Sequence, residues 1–247
     1  MKCLLLVAGY ATRLYPLTKD KPKSLLPVGG KTILERLIDK IDQVPQINEI
    51  ILVSNARFAQ QFENYIKEIR QDNRISMIDD GTQDNESRLG AIGDMDLAIR
   101  EREIDEDLMV LVGDNLFDFS LADFAAFQAS VNADCITAHR EERLAALQKT
   151  GVAELDEDGG VLSFEEKPAK PKSNFAVPPF YLYKKETLPL IHTFIKEGNN
   201  PDAPGQFIGW LVQKKPVYAF RFSGKRHDIG SLESYEEAQR LFGTPAL

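Results

Sequence analysis

The sequence of 247 residues has little of several things. It holds two cysteines, three histidines and one tryptophan. Cys3 and Cys135 both lie inside apolar runs, which reads as buried thiols in a reducing, cytoplasmic setting and not as a disulfide. The histidines His139, His192 and His227 show no metal-ligand spacing, and no Ser-His-Asp or Cys-His arrangement stands out. His192 falls in an amphipathic stretch and reads as structural, and Trp210, among Phe207, Ile208 and Leu211, reads as core. The longest apolar run, Cys3 to Ala8, is far short of the roughly 18 residues a membrane span needs, and no secretory cleavage pattern follows it. Basic residues are also in deficit, 30 Lys and Arg against 38 Asp and Glu for a net charge of -8, which excludes a general nucleic-acid binder. There is no G-x-G-x-x-G for a dinucleotide and no G-x-x-x-x-G-K-[ST] phosphate loop. Repeats, low-complexity tracts and clean linkers are absent too. What is present, 43% hydrophobic and 28% charged residues, is the composition of a globular chain long enough for one large domain or two small ones.

Short apolar runs alternate with amphipathic stretches, the pattern of βαβ units around a largely parallel sheet. Strands are expected at 3–7, 50–53, 75–78, 108–112 and 133–138, with helices at 31–43, 58–69, 92–99 and 121–130. After about Gly151 the texture changes. Val152 to Leu155 and Val161 to Glu165 flank the turn-forming Asp156-Glu157-Asp158-Gly159-Gly160, which predicts a β-hairpin. Further strands are expected at 180–183 and 217–222, and helices at 185–195, 205–213 and 232–241.

Three clusters can carry chemistry. Ala8-Gly9-Tyr10-Ala11-Thr12-Arg13 follows the first strand, and with Lys19, Lys21 and Lys23 it puts a local surplus of positive charge into an acidic chain. Small residues at the carboxyl end of a buried strand let the backbone approach a ligand and offer N–H groups to a phosphate; a solvated basic turn is the plainer alternative. Asp114, just past an apolar strand, and Asp228, before a glycine and the last helix, are each explained as caps or as carboxylates for Mg²⁺ beside a substrate phosphate. Glu165-Glu166-Lys167-Pro168 is either a solvated charge run or a site where Glu166 takes substrate hydroxyls and Lys167 meets a phosphate.

Val7-Ala8-Gly9-Tyr10-Ala11-Thr12-Arg13-Leu14-Tyr15-Pro16-Leu17-Thr18, Pro22-Lys23-Ser24-Leu25-Leu26-Pro27-Val28, Val112-Gly113-Asp114-Asn115, Phe164-Glu165-Glu166-Lys167-Pro168 and Asp228-Ile229-Gly230-Ser231 occur in the order and at the spacings of one family. On these motifs the chain resembles the sugar-1-phosphate nucleotidylyltransferases, or NDP-sugar pyrophosphorylases, along essentially its whole length. The resemblance implies a single Rossmann-like three-layer α/β domain with a mostly parallel mixed sheet. Residues 1–140 would form a nucleotide-binding half and 141–247 a sugar-phosphate-binding half, with no C-terminal β-helix domain. It implies Mg²⁺-dependent transfer of a nucleotidyl group from an NTP to a sugar 1-phosphate, releasing pyrophosphate. Ala8, Gly9, Tyr10, Ala11, Thr12, Asn85 and Gly90 would bind the nucleotide. Arg13 and Lys23 would be catalytic, and Asp114 and Asp228 would hold the metal. Gly151, Glu166, Lys167, Val177 and Tyr181 would hold the sugar phosphate. Homo-oligomerisation is left open, and UTP or dTTP with glucose 1-phosphate is the default pair.

The chain departs from the family's pattern in three places. Ala11 replaces a glycine, which requires a negative φ there. Pro179 stands where a glycine often precedes the sugar-binding strand, and His227 where a larger apolar residue is common. Two other readings compete: a CTP-dependent enzyme acting on phosphocholine or a similar phosphorylated acceptor, and a non-catalytic nucleotide-sugar-binding protein.

Overall fold

A computed structural model describes residues 1–69 and 74–242. Its first half alternates strand and helix: β1 (Lys2–Leu6), the short β2 (Pro27–Val28) and β3 (Lys31–Thr32), α1 (Ile33–Ile41), β4 (Glu49–Ser54), α2 (Ala59–Ile69), β5 (Ile75–Asp79), α3 (Ala91–Glu101), β6 (Leu108–Val112), β7 (Asn115–Phe117), α4 (Leu121–Val131) and β8 (Asp134–Arg140). The second half supplies α5 (Leu144–Leu147), β9 (Gly151–Leu155), β10 (Val161–Glu166), β11 (Phe175–Val177), β12 (Phe180–Tyr183), α6 (Leu188–Lys196), α7 (Pro204–Leu211), β13 (Val217–Arg221), β14 (Arg226–Asp228) and α8 (Leu232–Phe242).

β1 lies between β4 and β6, parallel to both, and β5 extends β4 in parallel. Beyond β6 the direction reverses, because β12 inserts antiparallel between β6 and β8, and β13 then pairs in parallel with β8. The two halves of the chain therefore share one sheet. β1 explains the uninterrupted apolar run at the N-terminus. Its Cys3 and Leu5 enter the cluster under α1, α2 and α4, while Leu4 and Leu6 enter the cluster under α3, α6 and α7. A strand covered on both faces has no polar side to show. Each such fully buried aliphatic side chain contributes about 1.5–3 kcal/mol.

Local signals set the helix ends. Thr32 accepts the Glu35 N–H at 3.1 Å to start α1, and Ser120 accepts the Asp123 N–H at 3.1 Å to start α4. α3 has no side-chain cap. Its first amides, Ala91 and Ile92, donate to the carbonyls of Asp202 and Pro201 at 3.1 and 2.9 Å. The loop between α6 and α7 is thereby fastened to the start of α3.

The hairpin expected around 156–160 is present as antiparallel β9 and β10. β11, which joins them on the other side of β9, and the β7–β14 ladder have no counterpart in the sequence reading. Three-residue strands carry too little periodicity to be recognised. Trp210 is a correction. One face of the ring stacks on Phe207, while its Nε1 donates to Glu197 at 2.8 Å on the surface, so the residue is half-buried and not core. His192 is half-exposed and sits 3.2 Å from Asp96 Oδ1. Both cysteines are buried free thiols. Among the described residues no helix is long and apolar enough to cross a membrane.

Candidate active site

The carboxyl ends of β1 and β6 open onto the loop that begins at Val7. Gly113 follows β6 and donates to the Leu6 carbonyl at 2.9 Å; a side chain there would overlap Val7, so the two strand ends come together only with glycine. Ser24 accordingly reaches in and donates to the Gly113 carbonyl at 2.6 Å. Gly9 has open space about its Cα, and Ala8 is fixed from below by Asn55 Nδ2, 2.7 Å from its carbonyl.

Ala11 is a correction to the expected negative φ: it adopts a φ of 48° and a ψ of 42°, the left-handed region. The conformation is held by its carbonyl, which accepts the Leu14 N–H at 2.9 Å and the Thr18 hydroxyl at 2.8 Å. A glycine would take this shape freely, whereas alanine holds it at a cost of about 1–2 kcal/mol. The amides after Ala11 then turn through Thr12–Leu14.

This loop walls a cavity of about 320 Å³. Ala8, Gly9, Tyr10, Ala11, Thr12 and Arg13 line one side, and Asn85 and Gly90 line the other. All the nucleotide-contacting residues expected from the sequence thus border one cavity. Asp80, Arg88, Asp94 and Asp202 border it as well, and the sequence reading did not single them out. Gly90 has a φ of 80°, and a Cβ there would lie 2.6 Å from the Pro201 carbonyl oxygen, so the close seating of the α6–α7 loop needs glycine.

Lys23 projects from the following segment to Asp114, with Nζ 3.0 Å from Oδ2. Burial pushes the Asp114 carboxyl up, but Lys23, with Arg226 and an Asn115 Nδ2–H bond, outweighs it and holds the group below the usual carboxylate range. Asp228 is brought alongside by the β7–β14 ladder, where Asp228 faces Asn115 and the Ile229 N–H donates to the Asp114 carbonyl at 3.1 Å. Burial and then the Asp114 charge raise its carboxyl above the ordinary value. Arg13 lies within electrostatic reach of Asp228 and so links the cavity to the carboxylate pair. Arg226 is a further participant that sequence reasoning missed. Its Nε donates to Asn115 Oδ1 at 2.6 Å, which orients the amide that in turn bonds Asp114. Only the ladder, invisible in the sequence, gives Arg226 and Asp228 a common face. His227 points the other way and meets Phe242 edge-on at 5.8 Å.

Oxygen donors alone, two like-charged carboxylates whose mutual repulsion raises one of them, fit a hard divalent cation that completes its shell with water and phosphate. Among the described residues no group of three or more His, Cys, Asp or Glu side chains could hold a metal.

The remaining predicted residues gather at the ends of three paired strands. Gly151 of β9 faces Glu166 of β10 on one side and Val177 of β11 on the other. Glu166 is enclosed, with an oxygen packed where a Cβ on Gly205 would intrude, while a Cβ on Gly151 would meet the Phe164 ring, and burial raises its carboxyl despite Lys167 Nζ at 3.8 Å. Lys167 takes a φ of 48°, and its N–H donates to the Thr150 carbonyl at 3.1 Å. Tyr181 is buried on β12, its hydroxyl raised by burial and then by the Glu166 charge. Pro178 and Pro179 form the break between β11 and β12, two strands that both pair with β8.

Comparison with known proteins matches residues 2–243 to a family model described as nucleotidyl transferase. The chain is 28% identical over 241 residues to a UTP–glucose-1-phosphate uridylyltransferase of Haloferax volcanii, covering 97% of this chain and 96% of that one. It is 27% identical over 257 residues to a glucose-1-phosphate adenylyltransferase of Thermotoga maritima, covering 95% of this chain and 59% of the relative. Against the bifunctional protein GlmU of Methanocaldococcus jannaschii it is 27% identical and spans about half of that protein's length, 51%. A solved UDP-glucose pyrophosphorylase complexed with UDP-glucose superimposes with a TM-score of 0.82 at 22% identity, over 98% of this chain and 97% of the other. That likeness shows the fold.

Proposed function

The chain belongs to the nucleotidyl transferase family, and from that premise we propose that it transfers a nucleotidyl group from an NTP to a sugar 1-phosphate, releasing pyrophosphate. The observation that carries this reading is the convergence at one sheet edge of the Gly9–Arg13 cavity and the Lys23–Asp114–Asp228 cluster, linked by Arg13. In this reading residues 1–140 serve the nucleotide and 141–247 the acceptor, with Asp202 of the second half also bordering the nucleotide cavity.

The triphosphate would lie along the backbone amides of Gly9 to Thr12, with Arg13 neutralising the pyrophosphate as it leaves. The acceptor would be a polyol phosphate. Glu166, enclosed and acceptor-rich, takes its hydroxyls, and Lys167 meets its charge. One phosphate oxygen of the acceptor forms a bond to the α-phosphorus as the bond to the bridging oxygen of pyrophosphate breaks. The attacking oxygen is already ionised, so no general base is needed and catalysis reduces to alignment and charge. Lys23 would neutralise charge where the two phosphates meet. Asp114 and Asp228 would hold Mg²⁺, which when bound screens the repulsion between the anions. Asn115 and Arg226 keep Asp114 oriented.

The test is pyrophosphate release with NTP, sugar 1-phosphate and Mg²⁺. Lys23→Ala and Asp228→Ala are each expected to lower kcat by about a hundredfold or more while circular dichroism stays native. Full activity in either variant removes that residue from the reaction.

A further inference from the structure

The nucleotide cavity has two electrostatic ends, and one of them is not explained by phosphate binding. Arg13 faces it from the Gly9–Arg13 loop, while Asp80, Asp94 and Asp202 face it from the end of β5, the first turn of α3 and the α6–α7 loop. The other cation there, Arg88, is committed: its Nε lies 2.9 Å from Asp202 Oδ1 and its Nη1 donates to the Asn85 carbonyl at 2.7 Å. With Arg88 paired to Asp202, this wall offers a triphosphate no uncommitted cation among its described residues, so the uncharged end of the nucleotide is what meets it.

Asp80 Oδ1 accepts both the N–H and the hydroxyl of Thr82, each at 2.7 Å, and Thr82 Oγ1 lies 3.1 Å from the Tyr10 hydroxyl. The other oxygen, Asp80 Oδ2, is buried without a hydrogen-bond partner, and so is Asp94 Oδ1. The Asp94 side chain is 6% exposed, lines the cavity, and faces Asp80 closely enough for the two carboxyls to share a proton. With one proton between them, the pair still has lone pairs that no N–H or hydroxyl of the protein reaches, and a group that enters the cavity can supply the donor. Two carboxyls with one proton between them have more acceptors than donors, so the matching base edge is rich in N–H. Cytosine, adenine and guanine carry an exocyclic amino group, whereas uracil and thymine place carbonyl oxygens on both sides of a single N–H.

Resting on the nucleotide-site reading, we infer that Asp80 and Asp94 read the base and select amino-bearing bases over uracil and thymine. This moves the expected donor away from the UTP or dTTP that overall resemblance suggests.

The experiment is calorimetric titration of the full chain with ATP, CTP, GTP, UTP and dTTP in the presence of Mg²⁺, with no acceptor. At least one amino-bearing nucleotide is expected to bind tenfold or more tightly than UTP and dTTP. Asp94→Asn, which places an amide N–H at the same point, is expected to shrink that ratio at least threefold. UTP or dTTP binding as tightly as the best of the others overturns the inference, as does an unchanged ratio in Asp94→Asn. If Asp94→Asn does not fold, the wild-type ratio decides alone. Tight binding of all five without preference would leave the nucleotide site standing and sink the base assignment, while no binding of any would sink both. A contact to ribose instead of base would show as equal affinity for ATP, CTP, GTP and UTP and counts against the inference.

Discussion

Ala11 shows how one residue can shape a loop. Its φ of 48° lets the chain leave β1 and turn along the cavity wall, against the preference of any residue with a Cβ. Ala11→Gly is therefore expected to raise the unfolding free energy by about 1 kcal/mol in urea titrations; a loss of stability would show that the Cβ makes a contact worth more than the strain. Asp94 gives a pH signature at the same scale. Burial, followed by the Asp80 charge, raises its carboxyl to about 8. The native state therefore keeps a proton that the unfolded chain gives up near pH 4, and the stability this represents is lost as pH rises from about 4 to about 8. Asp94→Asn has no such loss. Its stability relative to wild type is expected to improve between pH 5 and pH 8.5, measured as the difference in urea midpoints. A pH-independent difference would mean that Asp94 ionises normally. Neither property was legible beforehand: sequence identified Ala11 as the odd residue of its loop but assigned it a negative φ, and a buried acid facing a half-buried one 14 positions away leaves no local pattern.

At the scale of elements, the enclosure of Glu166, the proposed acceptor contact, depends on how closely α7 approaches β10. Gly205, at the start of α7, leaves room for the Glu166 carboxyl, and a methyl group there would overlap it. Gly205→Ala is expected to raise the acceptor KM at least tenfold and leave the NTP KM within twofold, in initial-rate measurements. Equal effects on both would mean that the change propagates through the α6–α7 loop to Gly90 and the nucleotide cavity. The short β7–β14 ladder is the other element that builds the site, since it sets Asp228 beside Asp114. The sequence named both aspartates because each follows an apolar segment or precedes a glycine. It did not show how they meet, because three-residue strands are fixed by their partners and not by their own periodicity.

For the whole molecule, the apolar runs of β1, β4 and β6 and the helical faces of α1 and α2 were readable because burial on both sides of a sheet leaves a continuous signature. The insertion of β12 between β6 and β8 was not, since antiparallel return of a distant strand is a tertiary choice. That insertion is what joins the first and second halves of the chain into one sheet. In the proposed reaction the α-phosphorus of the nucleotide changes partners, from pyrophosphate to the acceptor phosphate. The direct measurement uses the best-binding NTP labelled at the α- or the γ-phosphate, with Mg²⁺ and a panel of sugar 1-phosphates. The α label is expected to move into a sugar-bearing nucleotide while the γ label leaves as pyrophosphate, and Asp228→Ala is expected to stop both. Transfer of the α label to phosphocholine and to no sugar phosphate, or binding of nucleotide with neither label moving for any acceptor, would contradict the proposed reaction.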